Sequence, residues 1–395
     1  MATVAQQPAA AEGANPVAAT ATAFRANTQR TVKRPGTVQS NVMLTGAQVP
    51  LNDVQLPPTT LLRCIYIEVV GVTSANAATV VFGPDAPLNV FGNMNFHDAQ
   101  GTSIVGAFDS FTLAMAQKWF GFTNNSDVTT SAVYNGTAGS GATGGSFTMV
   151  FRIPVEAVAR TGVGAQINTD TQSPLVLSSA LNLGTAVYAT PPTTLPTVSV
   201  TVSFGGYWNQ SGNPNTFATP TAIGTLNYVN WTNYTGLAGQ QQFQLGNTGL
   251  GNEVANIMFI NRLTAGLTRT GADAAFANPL QVAYRGNVLG QWSELLWKHL
   301  MSEAYDFENP QLDDGLGANV ALVNKGASGL NQGVYNLWFN DDFTFDPGNT
   351  LFLSLLETAV GDSIELTGSW VTSSTLYEVI NFLAVSGPLS AIQGH

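Results

Sequence analysis

Thr197-Val198-Ser199-Val200-Thr201-Val202-Ser203-Phe204 alternates apolar and small polar residues without a break. A period of two places every second side chain on one face, so this stretch reads as a strand with one face turned toward a core. Further runs of β character lie upstream, bounded by Gly, Pro, Asn and Thr clusters: Leu61–Val72, Ala78–Phe82, Val90–Phe96, Gly145–Ile153 and Pro174–Leu181. Downstream the candidates are Gln240–Leu245, Ala255–Leu263, Leu280–Tyr284, Val334–Phe339, Thr350–Glu357 and Ser363–Val371. Between the two groups, Asn209-Gln210-Ser211-Gly212-Asn213-Pro214-Asn215 and a Thr/Pro tract have linker composition.

One helical segment interrupts each group. In Phe108–Phe120, the residues Phe108, Phe111, Met115 and Trp119 recur at spacings of three and four. In Gln291–Ala304, Trp292, Leu295, Leu296, His299 and Leu300 share a face. The order of signals around the two helices is the same. Val90–Phe96 leads through Ile104-Val105-Gly106 into the first helix, and Val282–Asn287 leads through Val288-Leu289-Gly290 into the second. An apolar–aromatic strand follows each helix, and two more strands close each half. The chain therefore reads as a long-period repeat of one β unit.

Short strands in such numbers, with only two convincing helices, fit an all-β protein: two tandem eight-stranded antiparallel jelly rolls, each with a short flanking helix, after an N-terminal arm. The expected boundaries are an arm at 1–35, a first roll at 36–208, a linker at 209–237, a second roll at 238–385 and a tail at 386–395. A parallel α/β fold would need helices alternating with the strands, and they are not there.

Composition narrows the function. Of 395 residues 44% are hydrophobic but only 9% are charged, against about 25% in an ordinary soluble protein. Mean hydropathy is nevertheless only +0.11, because neutral polar residues replace the missing charge. Such a surface carries little like-charge repulsion and suits a protein that packs against copies of itself. There is no run of 18 apolar residues to span a membrane. The opening MATVAQQPAAAEGANP has no basic and no apolar region of the kind a signal peptide needs, so none is expected.

The net charge of −11 is unevenly placed. The first 40 residues hold Arg25, Arg30, Lys33 and Arg34 against Glu12 alone, while the rest holds nine basic and 23 acidic groups. Four cations within ten residues suit an anionic phosphate surface, at roughly 1 kcal/mol per charge. They suit equally the acidic body of a neighbouring subunit, and a solvated tail is the third reading. The acidic body argues against a nucleic-acid-binding protein.

No catalytic constellation emerges. His97, His299 and His395 lack metal-ligand spacing, and His97-Asp98 before Gly101 reads as a turn. Gly139–Gly145 is Gly-rich but precedes a strand, so it lacks the geometry of a phosphate cradle. Asp306, Glu308, Asp313, Asp314, Asp341 and Asp342 read as loop acids rather than a glycosidase pair or a calcium loop. Cys64 stands alone in an apolar run and reads as a buried small hydrophobe. Trp208, Trp231 and Tyr234 could stack on sugars, which keeps a glycan-binding β-sandwich, such as a virion spike or lectin, as the alternative function. No cofactor and no metal is expected.

In the order and character of its segments the chain resembles the double jelly-roll major capsid proteins of tailless, internal-membrane viruses, in particular tectivirus-like phages. The resemblance rests on Phe24-Arg25-Ala26-Asn27 in the arm, on Leu61–Val72 followed by Asn76–Pro84 and Asn89-Val90, and on Gly144–Val155. It implies a non-enzymatic coat protein. Homotrimers with a pseudo-hexagonal outline would tile an icosahedral shell, with minor capsid and vertex proteins as further partners. The same resemblance places the chain in the virion, assembled in the host cytoplasm. It sets the arm residues Arg25, Arg30, Lys33 and Arg34 against an internal lipid membrane or neighbouring trimers, and implies no specific nucleic acid.

Overall fold

A computed structural model of the chain describes residues 28–56, 60–74, 76–120, 131–156, 166–168, 174–209, 225–245, 253–263, 269, 276–305, 331, 333–339, 356–357 and 363–384. The first half runs β1 (Thr28–Met43), β2 (Val49–Pro50), β3 (Val54–Gln55), β4 (Thr60–Val72), β5 (Asn76–Phe82), β6 (Phe91–His97), β7 (Ser103–Phe108) and α1 (Ser110–Trp119). It continues through β8 (Asn135–Gly136), β9 (Gly139–Gly141), β10 (Phe147–Pro154), β11 (Gln166–Asn168), β12 (Val176–Leu181), α2 (Gly184–Val187), β13 (Tyr188–Thr190) and β14 (Thr197–Asn209).

The alternating run is β14, and its Val198, Val200, Val202 and Phe204 are all buried. It lies second in a sheet ordered β1-β14-β4-β10. The facing sheet is ordered β7-β6-β12, with β2 and β3 sharing the far edge of β12. With β2 and β3 counted as one broken strand, and the short strands β8 and β11 and the small sheet β13-β5-β9 set aside, eight strands remain. One sheet then takes them as first-eighth-third-sixth and the other as second-seventh-fourth-fifth, which is the order of a jelly roll. The inner faces interlock through large side chains, with Phe91 of β6 edge-on to Phe151 of β10 at 6.1 Å.

The second half runs β15 (Thr225–Leu245), β16 (Glu253–Leu263), β17 (Phe276–Tyr284), β18 (Asn287–Trp292), α3 (Glu294–Tyr305), β19 (Val334–Trp338), β20 (Leu356–Glu357) and β21 (Ile364–Ala384). The long strands β15 and β21 each serve two sheets. Residues 225–234 of β15 pair with 376–384 of β21, which also pairs with β16; 239–245 pair with 364–370, which also pairs with β17. Register shifts mark the bend in β15, and Gly239 there takes φ +70°. Divided at the bends, the second half has the strand order of the first. Its helix α3 follows the fifth strand β18, as α1 follows β7. The repeat expected from the order of signals is thus a repeat of topology.

Some expectations differ in detail. β1 begins at Thr28, so residues 28–35 of the expected arm lie in this strand, with Thr28 to Lys33 paired with β14. Pro35 fits because β1 is the outer strand and the register shifts between Lys33 and Gly36. The expected linker likewise holds strand residues from Thr225 onward. Among the described side chains of α3, Trp297 and Met301 are buried, whereas Leu295, Leu296 and His299 are exposed. The face that packs is the one β17, β18 and β19 reach. The expected strand Thr350–Glu357 is described only at Leu356–Glu357.

Candidate functional site

The two rolls meet edge to edge. β15 pairs in parallel with β7 at Tyr228↔Val105 and Val229↔Gly106, so one sheet runs from the first roll into the second. Tyr228 is fully buried there, stacked on Phe108 at 6.3 Å and edge-on to Phe120 at 6.3 Å. Its hydroxyl donates to the Pro154 carbonyl at 3.0 Å. Burial pushes the Tyr228 phenol well above its ordinary pKa, so it remains a neutral donor.

α1 fills the space beside this pairing. Asp109 caps it, accepting from the Thr112 amide at 2.7 Å, and all ten helix residues are buried. From its last turn Lys118 Nζ donates to Asn331 Oδ1 at 2.7 Å, and the Trp119 carbonyl accepts from Asn336 Nδ2 at 3.2 Å. Both partners belong to the second roll.

An ion triad also crosses the joint. Asp85, in the turn after β5, accepts from Arg262 at the end of β16 and from Arg269 Nε at 2.6 Å. The side chains of Asp85 and Arg269 are 1% and 0% exposed. The guanidinium groups of Arg262 and Arg269 lie 5.2 and 4.7 Å from the ring centroid of Phe111 on α1. Asp85 adopts φ 63°, a conformation that Asp tolerates better than most residues and that places its carboxylate here. Each charge is desolvated, so the triad is costly to break and fixes one arrangement of the two rolls.

These residues were not legible as a site. Gly83-Pro84-Asp85 reads as a turn, and nothing in that reading pairs Asp85 with arginines 177 and 184 positions away. A buried charged group with scarce charge around it is the one available signal.

The basic cluster is divided. Arg25 lies outside the described residues; Arg30 is exposed on β1; Lys33 and Arg34 are backbone positions of the same strand. Tyr234 is half-buried and packs against the core beside Phe243 at 4.6 Å, its one hydroxyl proton shared between the Gln244 carbonyl and the Glu378 carboxylate. The side chains of Trp208 and Trp231, the acids Asp306, Glu308, Asp313, Asp314, Asp341 and Asp342, and His395 lie outside the described residues. His97 is held by Ser178 Oγ at 3.1 Å, and the Asp98 carboxylate accepts from the Gln100 and Thr102 amides in a turn. Cys64 is buried. Among the described residues no three His, Cys, Asp or Glu gather as a metal site would require, and no helix is long and apolar enough to cross a membrane.

The backbone matches solved structures over nearly its whole length. Against the STIV MCP the identity is 12% and the TM-score 0.56, covering 90% of this chain and 97% of that one. Against the atomic structure of Sulfolobus Turreted Icosahedral Virus the identity is 11% and the TM-score 0.57, covering 92% and 93%. This chain has the double jelly-roll fold. The PBCV-1 virus capsid is similar at 11% identity and a TM-score of 0.51, covering 92% of this chain and 97% of that one. No protein-family model and no curated protein matches the sequence. At such identities the likeness is one of backbone. What this double jelly roll shares with those structures is the course of the backbone over 90% or more of each chain.

Proposed function

We propose that this double jelly roll is a major capsid protein, a non-enzymatic coat subunit that assembles with copies of itself into the shell of a virion. The observation that carries the reading is the reciprocal match to the STIV MCP, in which neither chain has a substantial unmatched part. The buried joint supports it, because a tile needs its two rolls held at one angle. The scarcity of charge supports it too, since a surface with 9% charged residues meets its copies with little repulsion.

In the finer form of the proposal three chains form a trimer of six similar rolls with a pseudo-hexagonal outline, and trimers tile an icosahedral shell with minor and vertex proteins. Residues 1–27, with Arg25, and the basic positions Arg30, Lys33 and Arg34 serve the inner side, against anionic lipid or a neighbouring trimer. Assembly takes place in the host cytoplasm. The test is light scattering on the purified chain over a range of concentration. A mass of three chains, giving ordered arrays as concentration rises, is the expected result; a single-chain mass of 41.4 kDa throughout would overturn the reading.

A further inference from the structure

The chain holds 13 lysines and arginines in all, and three of the arginines lie in one band across the end of the first sheet. Arg152 of β10 stands opposite Tyr66 of β4, and Arg30 of β1 stands opposite Tyr207 of β14. Between them comes Arg63, at a bulge in β4. The register against β14 passes from Gly205↔Cys64 to Gly206↔Leu62 and leaves Arg63 as the extra residue. Its carbonyl accepts from both the Val155 and the Glu156 amides at 2.9 Å. Bulges re-aim a side chain and gather beside functional sites.

The re-aimed guanidinium lies over Gly205, where a Cβ would come within 3.3 Å of Nη2. Nη2 donates to the Tyr66 hydroxyl at 3.4 Å, and among the described residues this is the one hydrogen bond of the guanidinium. Nε is buried and has no partner among them. A guanidinium has five donors, so most of the capacity of Arg63 is unused. Burial raises the phenols of Tyr66 and Tyr207; against it act the charges of Arg63 and Arg152 at Tyr66, and of Arg30 and Arg63 at Tyr207. The Glu156 carboxylate is buried and accepts from the Tyr207 hydroxyl. Even with Glu68, exposed two residues beyond Tyr66, three cations face two carboxylates in a chain of net charge −11. Arg63, Tyr66 and Arg152 are half-buried and Arg30 is exposed, so the band is open to solvent.

We infer that Arg63, with Tyr66 and the flanking Arg152 and Arg30, forms a binding site for a phosphate group, free or carried by a lipid headgroup. A phosphate offers several acceptor oxygens, and the planar fork of an arginine meets them through paired N–H bonds. The Tyr66 hydroxyl accepts from Arg63 and keeps its own proton to donate. The unfilled Nε adds to the gain, because a buried donor without a partner bears its full desolvation penalty. The phosphate chemistry stands apart from the coat reading. Arg30 ties the site to the side of the roll proposed to face lipid, and only that source rests on the coat reading.

Isothermal titration calorimetry of the full chain with inorganic phosphate tests it, with sodium chloride at equal ionic strength as the control. Phosphate is expected to bind the wild type, and to bind R63Q at least tenfold more weakly with an unchanged circular dichroism melt. R63K keeps the charge without the fork and should recover only part of the affinity. R152Q gives an independent reading should R63Q melt early. Vesicles of phosphatidylcholine with phosphatidic acid then separate the two sources. Vesicle binding that falls in R63Q and is blocked by inorganic phosphate assigns the site to a headgroup; vesicle binding that both leave untouched assigns it to free phosphate. Equal phosphate binding by wild type and R63Q, or phosphate giving no more heat than chloride, would overturn the inference and leave the coat reading standing.

Discussion

Arg269 donates from Nε to the Asp85 carboxylate at 2.6 Å, joining the second roll to the first with both side chains buried. Removing one partner of such a group leaves an uncompensated buried charge, which costs about 3–5 kcal/mol. Asp85→Ala strands two guanidinium groups against Phe111 and is expected to lose that much in urea denaturation. Asp85→Asn keeps the shape but not the charge and should lose a large part of it. A variant as stable as the wild type would show that the triad does not hold the joint.

Gly106 pairs with Val229 where the sheet passes from roll to roll. It takes φ +121°, and a Cβ there would lie 2.2 Å from the Met94 carbonyl oxygen. Gly106→Val therefore has no relaxed conformation and is expected to abolish or sharply weaken folding in a thermal melt. Gly101 also has positive φ, at +85°, but faces open space. Gly101→Ala should cost only about 1–2 kcal/mol. Equal losses at the two sites would contradict the close approach at the seam.

The phenols of Tyr188, Tyr207 and Tyr228 are all raised, chiefly by burial, with the Glu156 carboxylate adding to the effect at Tyr207. In the unfolded chain they ionise near pH 10. Above that pH the unfolded state has released protons that the folded state still holds, so stability is complete below about pH 10 and falls as pH rises beyond it. Phenolate absorbance should lag behind that of free tyrosine until the chain unfolds. Tyr228→Phe gives up the hydrogen bond to Pro154, about 1 kcal/mol at neutral pH, and should lose less stability on going to alkaline pH. A normal titration of all tyrosines in the folded chain would refute this.

Because Thr28 to Lys33 pair with β14, the clean test of the basic arm is deletion of residues 1–27. The shortened chain should still form its multimer. It should bind vesicles containing anionic lipid less well than the full chain, and the difference should shrink as salt is added. Unchanged vesicle binding and normal shell assembly would remove the arm from the inner side.

The fold was legible because burial on one face of a strand leaves a period-two mark. β14, β10 and the later part of β4 carry it, while α1 shows instead the spacing of three and four that marks a helix. Elements that were missed lack that mark. Ser103–Phe108 is short and interrupted by Gly106, β1 contains Pro35 and six charges or amides, and β2 and β3 are two residues each. Helix α3 was found, but the residues grouped on one face there include Leu295, Leu296 and His299, which are exposed. Apolar residues on both sides of a helix do not show which side is covered within the chain. The joint was illegible for a similar reason: Asp85, Arg262 and Arg269 meet through topology, and no local pattern joins positions so far apart.

The account is tested most directly by a cryo-electron microscopy reconstruction of the assembled coat at side-chain resolution. It predicts tiles of six jelly rolls traced to three chains, with the Asp85 to Arg269 contact inside every chain. Tiles whose six rolls trace to six chains, or a chain whose two rolls stand in different tiles, would contradict it.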